Sequence, residues 1–223
     1  MCGRFTLRSP VSDLVKIFDL MNQPDWPLSY NIAPTQQIAA VQQLEAGRKP
    51  VTFHWGLIPS WAKDSSIGSR MINARAETVA TKPSFCTAFR RRRCLILADG
   101  FFEWTKTHRR TKQPYYISRR DDRAFAFAGL WEHWQEADAL AIDSCTIVTV
   151  NANELLSDIH TRMPVILRDE DYDQWLDPDC QDVNKMQSLL KPYIATELIV
   201  RPVNTIVNNP RHNVPECIET IDE

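Results

Sequence analysis

Apolar residues recur along this chain at two spacings. Leu14, Ile17, Phe18 and Met21 follow helical spacing after Ser9-Pro10, which reads as an N-cap with Pro in the first turn. That stripe predicts a short amphipathic helix facing the core. Short apolar runs between turn residues predict strands at Ile38 to Val41 and Val51 to Leu57, split by a turn at Gly47. More strands are predicted at Cys94 to Ala98, Phe101 to Trp104, Tyr115 to Ser118, Ala124 to Trp131, Cys145 to Val150 and Leu198 to Val203, with Asp99-Gly100 as a turn signal. Tyr30 to Thr35 reads as a bend. Helices are expected at Pro83 to Phe89, Asn153 to Asp158, Asp171 to Leu176 and Asn184 to Leu190, and the tail through Pro215 to Ile218 as folding back. Strands outnumber helices and follow one another without helical crossovers. The expectation is therefore α+β: a single domain over residues 1–223, with a curled, mostly antiparallel sheet flanked by short helices.

Composition adds little to the pattern. The net charge of −2 announces no polyanion partner. The charge is uneven, however, with Arg90 to Arg93 in one run and Lys106, His108, Arg109, Arg110 and Lys112 close behind, so local nucleic-acid binding stays open beside a merely solvated hairpin end. The six cysteines, at 2, 86, 94, 145, 180 and 217, form no C-x-x-C pair, which argues against structural zinc and for reduced thiols in a cytoplasmic-type compartment. No apolar signal core opens the chain, and no apolar run approaches the ~20 residues of a membrane span.

Candidate chemistry concentrates at a few places. If Met1 is removed, Cys2 carries an amine and a thiol together, a 1,2-aminothiol that condenses with an aldehyde to a five-membered thiazolidine. Both groups titrate near neutrality, at about 8 and about 8.5. Asn73 and Arg75 share one face of an extended segment and together could grip a phosphate or carbonyl. Glu103 lies among large aromatics, which would desolvate its carboxylate and raise its pKa, unless it points to solvent. His160 follows a predicted helix whose C-terminus would favour imidazolium, making it a plausible acid. Trp61, in a polar loop from Pro59 to Arg70, either anchors that loop on the core or offers a stacking face to an unpaired base.

Seven stretches then occur in one order: Met1-Cys2-Gly3-Arg4-Phe5, Tyr30-Asn31-Ile32-Ala33-Pro34, Trp55-Gly56-Leu57-Ile58-Pro59-Ser60-Trp61, Asn73-Ala74-Arg75-Ala76-Glu77-Thr78, Ala98-Asp99-Gly100-Phe101-Phe102-Glu103-Trp104, Asp158-Ile159-His160-Thr161-Arg162-Met163-Pro164 and Val207-Asn208-Asn209. Together, over nearly the whole chain, they resemble the SRAP (SOS-response-associated peptidase) family. The resemblance implies a β pseudo-barrel core, a positively charged DNA channel and a sensor of abasic sites in single-stranded DNA that crosslinks through Cys2. It implies catalytic roles for Cys2, Asn73, Glu103 and His160: His160 in opening the sugar ring, Glu103 shuttling protons, and Asn73 holding the opened sugar oxygen or the Cys2 amine. Arg4, Asn31, Pro34, Trp61, Arg75 and Arg162 would bind DNA, with Arg4 and Arg75 on phosphates and Trp61 and Pro34 in the gap beside the lesion. No metal, cofactor or membrane is implied, and the protein is expected to be a DNA-associated monomer.

Two other classes fit parts of the same residues. Cys2, Glu103 and His160 could serve a cysteine peptidase, including self-removal of Met1, although sequence shows no oxyanion hole. Trp61 and the basic stretches alone would suffice for a passive single-strand binder with salt-reversible, non-covalent binding.

Overall fold

The computed structural model describes residues 2–105, 112–135 and 140–221. Among the described residues, thirteen strands run β1 (Phe5–Leu7), β2 (Ser29–Ile32), β3 (Gln37–Leu44), β4 (Gly47–Trp55), β5 (Asn73–Arg75), β6 (Arg93–Ala98), β7 (Gly100–Thr105), β8 (Gln113–Arg119), β9 (Phe125–Trp134), β10 (Ile142–Asn151), β11 (Arg162–Pro164), β12 (Ile166–Leu167) and β13 (Leu198–Pro202). Four short α-helices accompany them among the same residues: α1 (Val11–Phe18), α2 (Cys86–Arg91), α3 (Tyr172–Leu176) and α4 (Val183–Gln187). The α+β expectation holds.

The strands form two sheets. One has five strands in the order β13-β8-β7-β1-β2, and the other follows β11-β10-β4-β3-β6-β9-β12, with β5 paired to β10. The second sheet curls until β9 also pairs with β10. Pairings between these strands are antiparallel except those of β10 with β4 and β5, which are parallel. Every residue of β6 is buried, as a continuous apolar run predicts for a strand covered on both faces. Phe5 of the first sheet packs edge-on against Trp55 and Phe127 of the second, at centroid distances of 5.1 and 5.7 Å, and so joins the two sheets in one core.

Several local expectations change. Asp99-Gly100 is not a hairpin turn but the point where the chain leaves the curled sheet for the five-stranded one. The buried Asp99 carboxylate accepts from Thr6 Oγ1 at 2.5 Å, from the Arg8 and Ser9 amides at 2.5 and 2.8 Å, and from Ser9 Oγ at 3.0 Å. Ser9 is thereby drawn away from the helix it was expected to cap; Pro10 stands at that position, without a side-chain cap. Gly100 is required there, because a Cβ would lie 2.1 Å from the Tyr116 hydroxyl oxygen. Helix α1 ends in left-handed Asp19, which leaves Met21 outside the core and exposed. Tyr30-Asn31-Ile32 is strand rather than bend, since it pairs with β1. The helix expected at Asn153 to Asp158 is a series of turns, in which Asn153 Oδ1 accepts the Leu156 amide at 3.1 Å. An Asn that satisfies a nearby amide offers the backbone an alternative to a helix.

Candidate active site

Strand β1 runs antiparallel to β7, with Phe5 opposite Phe101 and Thr6 opposite Gly100. Continuing that register toward the amino end sets Gly3 against Glu103. Cys2 is fully buried, and its carbonyl accepts a hydrogen bond from Asn73 Nδ2 at 2.8 Å. Burial, and then the Glu103 carboxylate, push the Cys2 thiol well above its ordinary range, so with Met1 in place it rests as the neutral thiol. Glu103 does not point to solvent: it is only 4% exposed, and burial raises its pKa. Strand β7 can bury it because both faces are covered. Phe101 joins the main core, while Phe102 joins a smaller cluster with Tyr116, Val203, Val207 and Cys217. The other amide atom of Asn73, Oδ1, is buried with no hydrogen-bond partner among the described residues.

The carboxyl end of β10 collects the remaining polar candidates. Ile147 to Thr149 pair with Asn73 to Arg75 on one side, and Thr149 to Asn151 pair with Pro164 to Arg162 on the other. One strand thus sets Arg75 across from Pro164 by way of Thr149, and two residues beyond Arg75 the chain reaches Arg162 through Glu77. His160 does not follow a helix, and burial lowers its pKa instead of raising it. Its Nδ1 accepts the Arg162 amide at 2.9 Å, so the neutral ring carries its proton on Nε2. The Arg162 guanidinium bonds inside the protein, to both Glu77 oxygens, Asn151 Oδ1 at 2.9 Å and the Thr149 carbonyl at 2.5 Å. The Arg75 side chain is exposed and makes no hydrogen bond or ion pair among the described residues, while its carbonyl accepts the Thr78 amide at 3.1 Å.

The expected DNA-binding residues divide in the same way. Arg4 Nη1 donates to Asn31 Oδ1 and the Val207 carbonyl, both at 2.7 Å, and its guanidinium lies over the Trp104 ring. Buried Asn31 donates through Nδ2 to the carbonyls of Val207, Asn209 and His212. Together the two side chains fasten the C-terminal turn beneath the first strand. Pro34 is half-buried. Trp61 stands out from its loop with 60% of its surface exposed, so it does not anchor the loop on the core. Other contacts brace that loop: Trp134 Nε1 donates to the Ala62 carbonyl at 2.8 Å, and the Ile58 amide donates to Ser144 Oγ at 2.8 Å. Gly56, at φ 139°, also lets the Gly68 backbone approach to where a Cβ would be 2.6 Å from its oxygen.

Half of the arginine run is structural. Buried Arg93 donates to the carbonyls of Trp175, Phe89, Arg90, Asp177 and Cys180, and Arg92 pairs with Glu132, which leaves Arg90 and Arg91 exposed. Of the following basic stretch, residues 106–111 lie outside the described residues, and Lys112 is exposed. No cluster of three or more His, Cys, Asp or Glu able to hold a metal occurs among the described residues. No helix among them is long and apolar enough to cross a membrane.

Residues 1–210 match the family described as SOS response associated peptidase (SRAP). The chain belongs to that family. Its similarity to the abasic site processing protein YoqW of Bacillus subtilis is 44% identity over 223 residues, 99% of this chain and 100% of that one. Abasic site processing protein HMCES of Xenopus tropicalis is 31% identical over 266 residues, covering 99% of this chain and 78% of that protein. The fold resembles crystal structures of proteins from Bacteroides thetaiotaomicron, with TM-score 0.89 and 25% identity over 99% of this chain and 100% of that one, and Bordetella bronchiseptica, with TM-score 0.78 and 27% identity over 91% and 100%.

Three residues that the sequence did not single out belong to the framework around these candidates. Asp99 ties β1 to the sheet crossover, Thr149 supplies a carbonyl to Arg162, and Glu77 holds the Arg162 fork. For Glu77 a signal existed. It stands two residues beyond Arg75 inside the Asn-Ala-Arg-Ala-Glu-Thr stretch, on the same exposed side.

Proposed function

We propose that this SRAP chain processes abasic sites in single-stranded DNA and does so by a covalent link through Cys2 once Met1 has been removed. The observation that carries the reading is the convergence on one buried cysteine: Asn73 holds the Cys2 carbonyl, and the β1–β7 register brings the buried Glu103 alongside the same end of the strand. The names of the relatives add the substrate class, since each is described as processing abasic sites.

In this mechanism the abasic sugar opens from hemiacetal to aldehyde, with His160 at the departing ring oxygen. The Cys2 amine adds to the aldehyde carbon, and loss of one water gives the imine. The thiol then adds across that C=N bond. The new C–S bond closes the thiazolidine, and the thiol proton ends on nitrogen. Glu103 is suited to relay these protons because burial lifts its pKa toward neutrality. Asn73 Oδ1 would accept from the new amine or from the opened sugar hydroxyl. The closed ring lacks the iminium electron sink needed for β-elimination, so the lesion is shielded rather than cut. Arg75 would meet a phosphate beside the lesion, and Trp61 would stack on a flanking base.

The test mixes the full chain with a single-stranded oligonucleotide carrying one abasic site, followed by denaturing electrophoresis and intact-mass analysis. The expected adduct has the mass of Met1-less protein plus DNA minus one water, and Cys2→Ala abolishes it. Absence of adduct with Met1 verified as removed, or persistence of adduct in Cys2→Ala, overturns the mechanism.

A further inference from the structure

Glu77 and Arg162 face each other as a fork against a carboxylate, with Nη1 on Oε1 at 2.5 Å and Nη2 on Oε2 at 3.0 Å. Most exposed ion pairs contribute little to stability, but this geometry is bidentate and the Arg162 side chain is only 12% exposed. A donor count fixes what Arg162 can do. Its four Nη protons go to Glu77 Oε1, Asn151 Oδ1, Glu77 Oε2 and the Thr149 carbonyl. Its Nε is buried. No Nη proton remains for a phosphate while Glu77 stays in place. The backbone of the same residue is held as firmly, through pairing with Asn151 and through the neighbouring bond from the Ala152 amide to the Thr161 carbonyl at 3.0 Å. That backbone amide is the one that donates to His160 Nδ1.

We propose that Glu77 is a positioning residue for His160, acting through Arg162 to hold the imidazole as the neutral tautomer that presents an Nε2 proton. The proposal rests on the crosslinking mechanism above for its consequence, but not for its geometry. Protonating the ring at Nδ1 would set an N–H against the Arg162 N–H, so the brace disfavours imidazolium. His160 then works as a hydrogen-bond donor to the sugar oxygen, and the protons that move are relayed by Glu103. The Arg162 contact in turn holds the Glu77 carboxyl below the usual carboxylate range, so the brace is an ion pair at neutral pH.

Two readouts test this on the full chain with Glu77→Ala, Glu77→Gln and Arg162→Lys. The first needs no DNA: two-bond ¹H–¹⁵N correlations of the His160 ring. Wild type should give the Nε2-protonated neutral tautomer, Glu77→Ala and Arg162→Lys a mixture, and Glu77→Gln, which keeps one acceptor, an intermediate ratio. The second is the crosslinking rate at saturating abasic oligonucleotide. It should fall about tenfold in Glu77→Ala, a fraction of what a proton-handling group contributes, with affinity for an intact single strand no lower than wild type, since the substitution removes a negative charge and frees two Arg162 donors. Unchanged tautomer in a folded Glu77→Ala protein overturns the proposal, as does a loss of affinity with the rate at saturation unchanged. If Glu77→Ala fails to fold, the same outcomes are read from Glu77→Gln. A wild type that forms no adduct, yet shows the tautomer shift on substitution, would fail the crosslinking mechanism while leaving the brace intact.

Discussion

Arg4 and Arg75 carry the same guanidinium and stand in two of the stretches that mark the family, yet the fold uses them oppositely. The Arg4 side chain is bonded to Asn31 and to the carbonyls of Val207 and Asn208, whereas the Arg75 side chain is exposed, with no hydrogen bond or ion pair among the described residues. Asn31 and Arg162 side with Arg4, their polar atoms taken by internal partners. Trp61 sides with Arg75. The lesson is one of hydrogen-bond accounting. A cationic or carboxamide side chain can reach DNA only with donors the fold has not already used.

The sharpest way to break this division is Asn31→Ala. The substitution removes the side-chain acceptor for Arg4 and takes one hydrogen bond from each of three carbonyls of the C-terminal turn, in a site where Asn31 is 1% exposed. The expected cost is about 3 kcal/mol of folding stability, read from the urea midpoint. An unchanged midpoint together with weakened DNA binding would place Asn31 on the outward side and dissolve the comparison.

Trp61→Ala should behave in the reverse way. With the loop braced by Gly56, Ser144 and Trp134, removal of the exposed ring should move stability by less than about 0.5 kcal/mol. Affinity for an intact single strand should fall by about 1–3 kcal/mol, the contribution of one stacked base. Fluorescence anisotropy measures it, and unaltered affinity would remove Trp61 from the interface. Smaller again is Arg75→Ala. It should leave stability unchanged and reduce the slope of log affinity against log salt by about 0.7, one single-strand phosphate contact. A slope equal to wild type would mean that Arg75 touches no phosphate.

How much of this was legible depends on how local each cause is. Continuous apolar runs gave β6 and β9 because burial on both faces leaves a direct mark on composition. Glu103 stayed ambiguous because alternation along one strand cannot tell whether the second face is covered. Both faces are covered here: Phe101, on the same face as Glu103, packs in the main core, and Phe102, on the other, packs with residues as distant as Val207 and Cys217. The helix expected before His160 failed for a local reason, the Asn153 side chain satisfying its own turn. Ser9 failed as a cap for a distant one, since Asp99 claims its amide and hydroxyl from 90 residues away. The motifs drew attention to the right stretches. Whether Arg4, Asn31 and Arg162 face inward or outward depends on tertiary partners that no motif records.

The two carboxylates of the site extend the comparison to pH, with opposite signs. Burial raises Glu103 above its ordinary 4.5, so the folded state binds its proton more tightly than the unfolded chain does. That contribution to stability is fully present below about 4.5 and is lost as pH rises through the folded pKa. The Arg162 fork lowers Glu77, so its contribution is present above the ordinary 4.5 and is lost as pH falls through the depressed folded value. Glu103→Gln should therefore gain stability relative to wild type as pH rises from about 4.5 toward neutrality, because it removes a charge that burial disfavours. Glu77→Gln should lose ground to wild type as pH rises toward 4.5 and then hold a constant deficit, because it removes a charge that the fold stabilises. Thermal melts of the three proteins across that range decide it. If both variants shift in the same direction, environment does not divide the two carboxylates, and Glu103 is no better prepared than Glu77 to carry a proton near neutral pH.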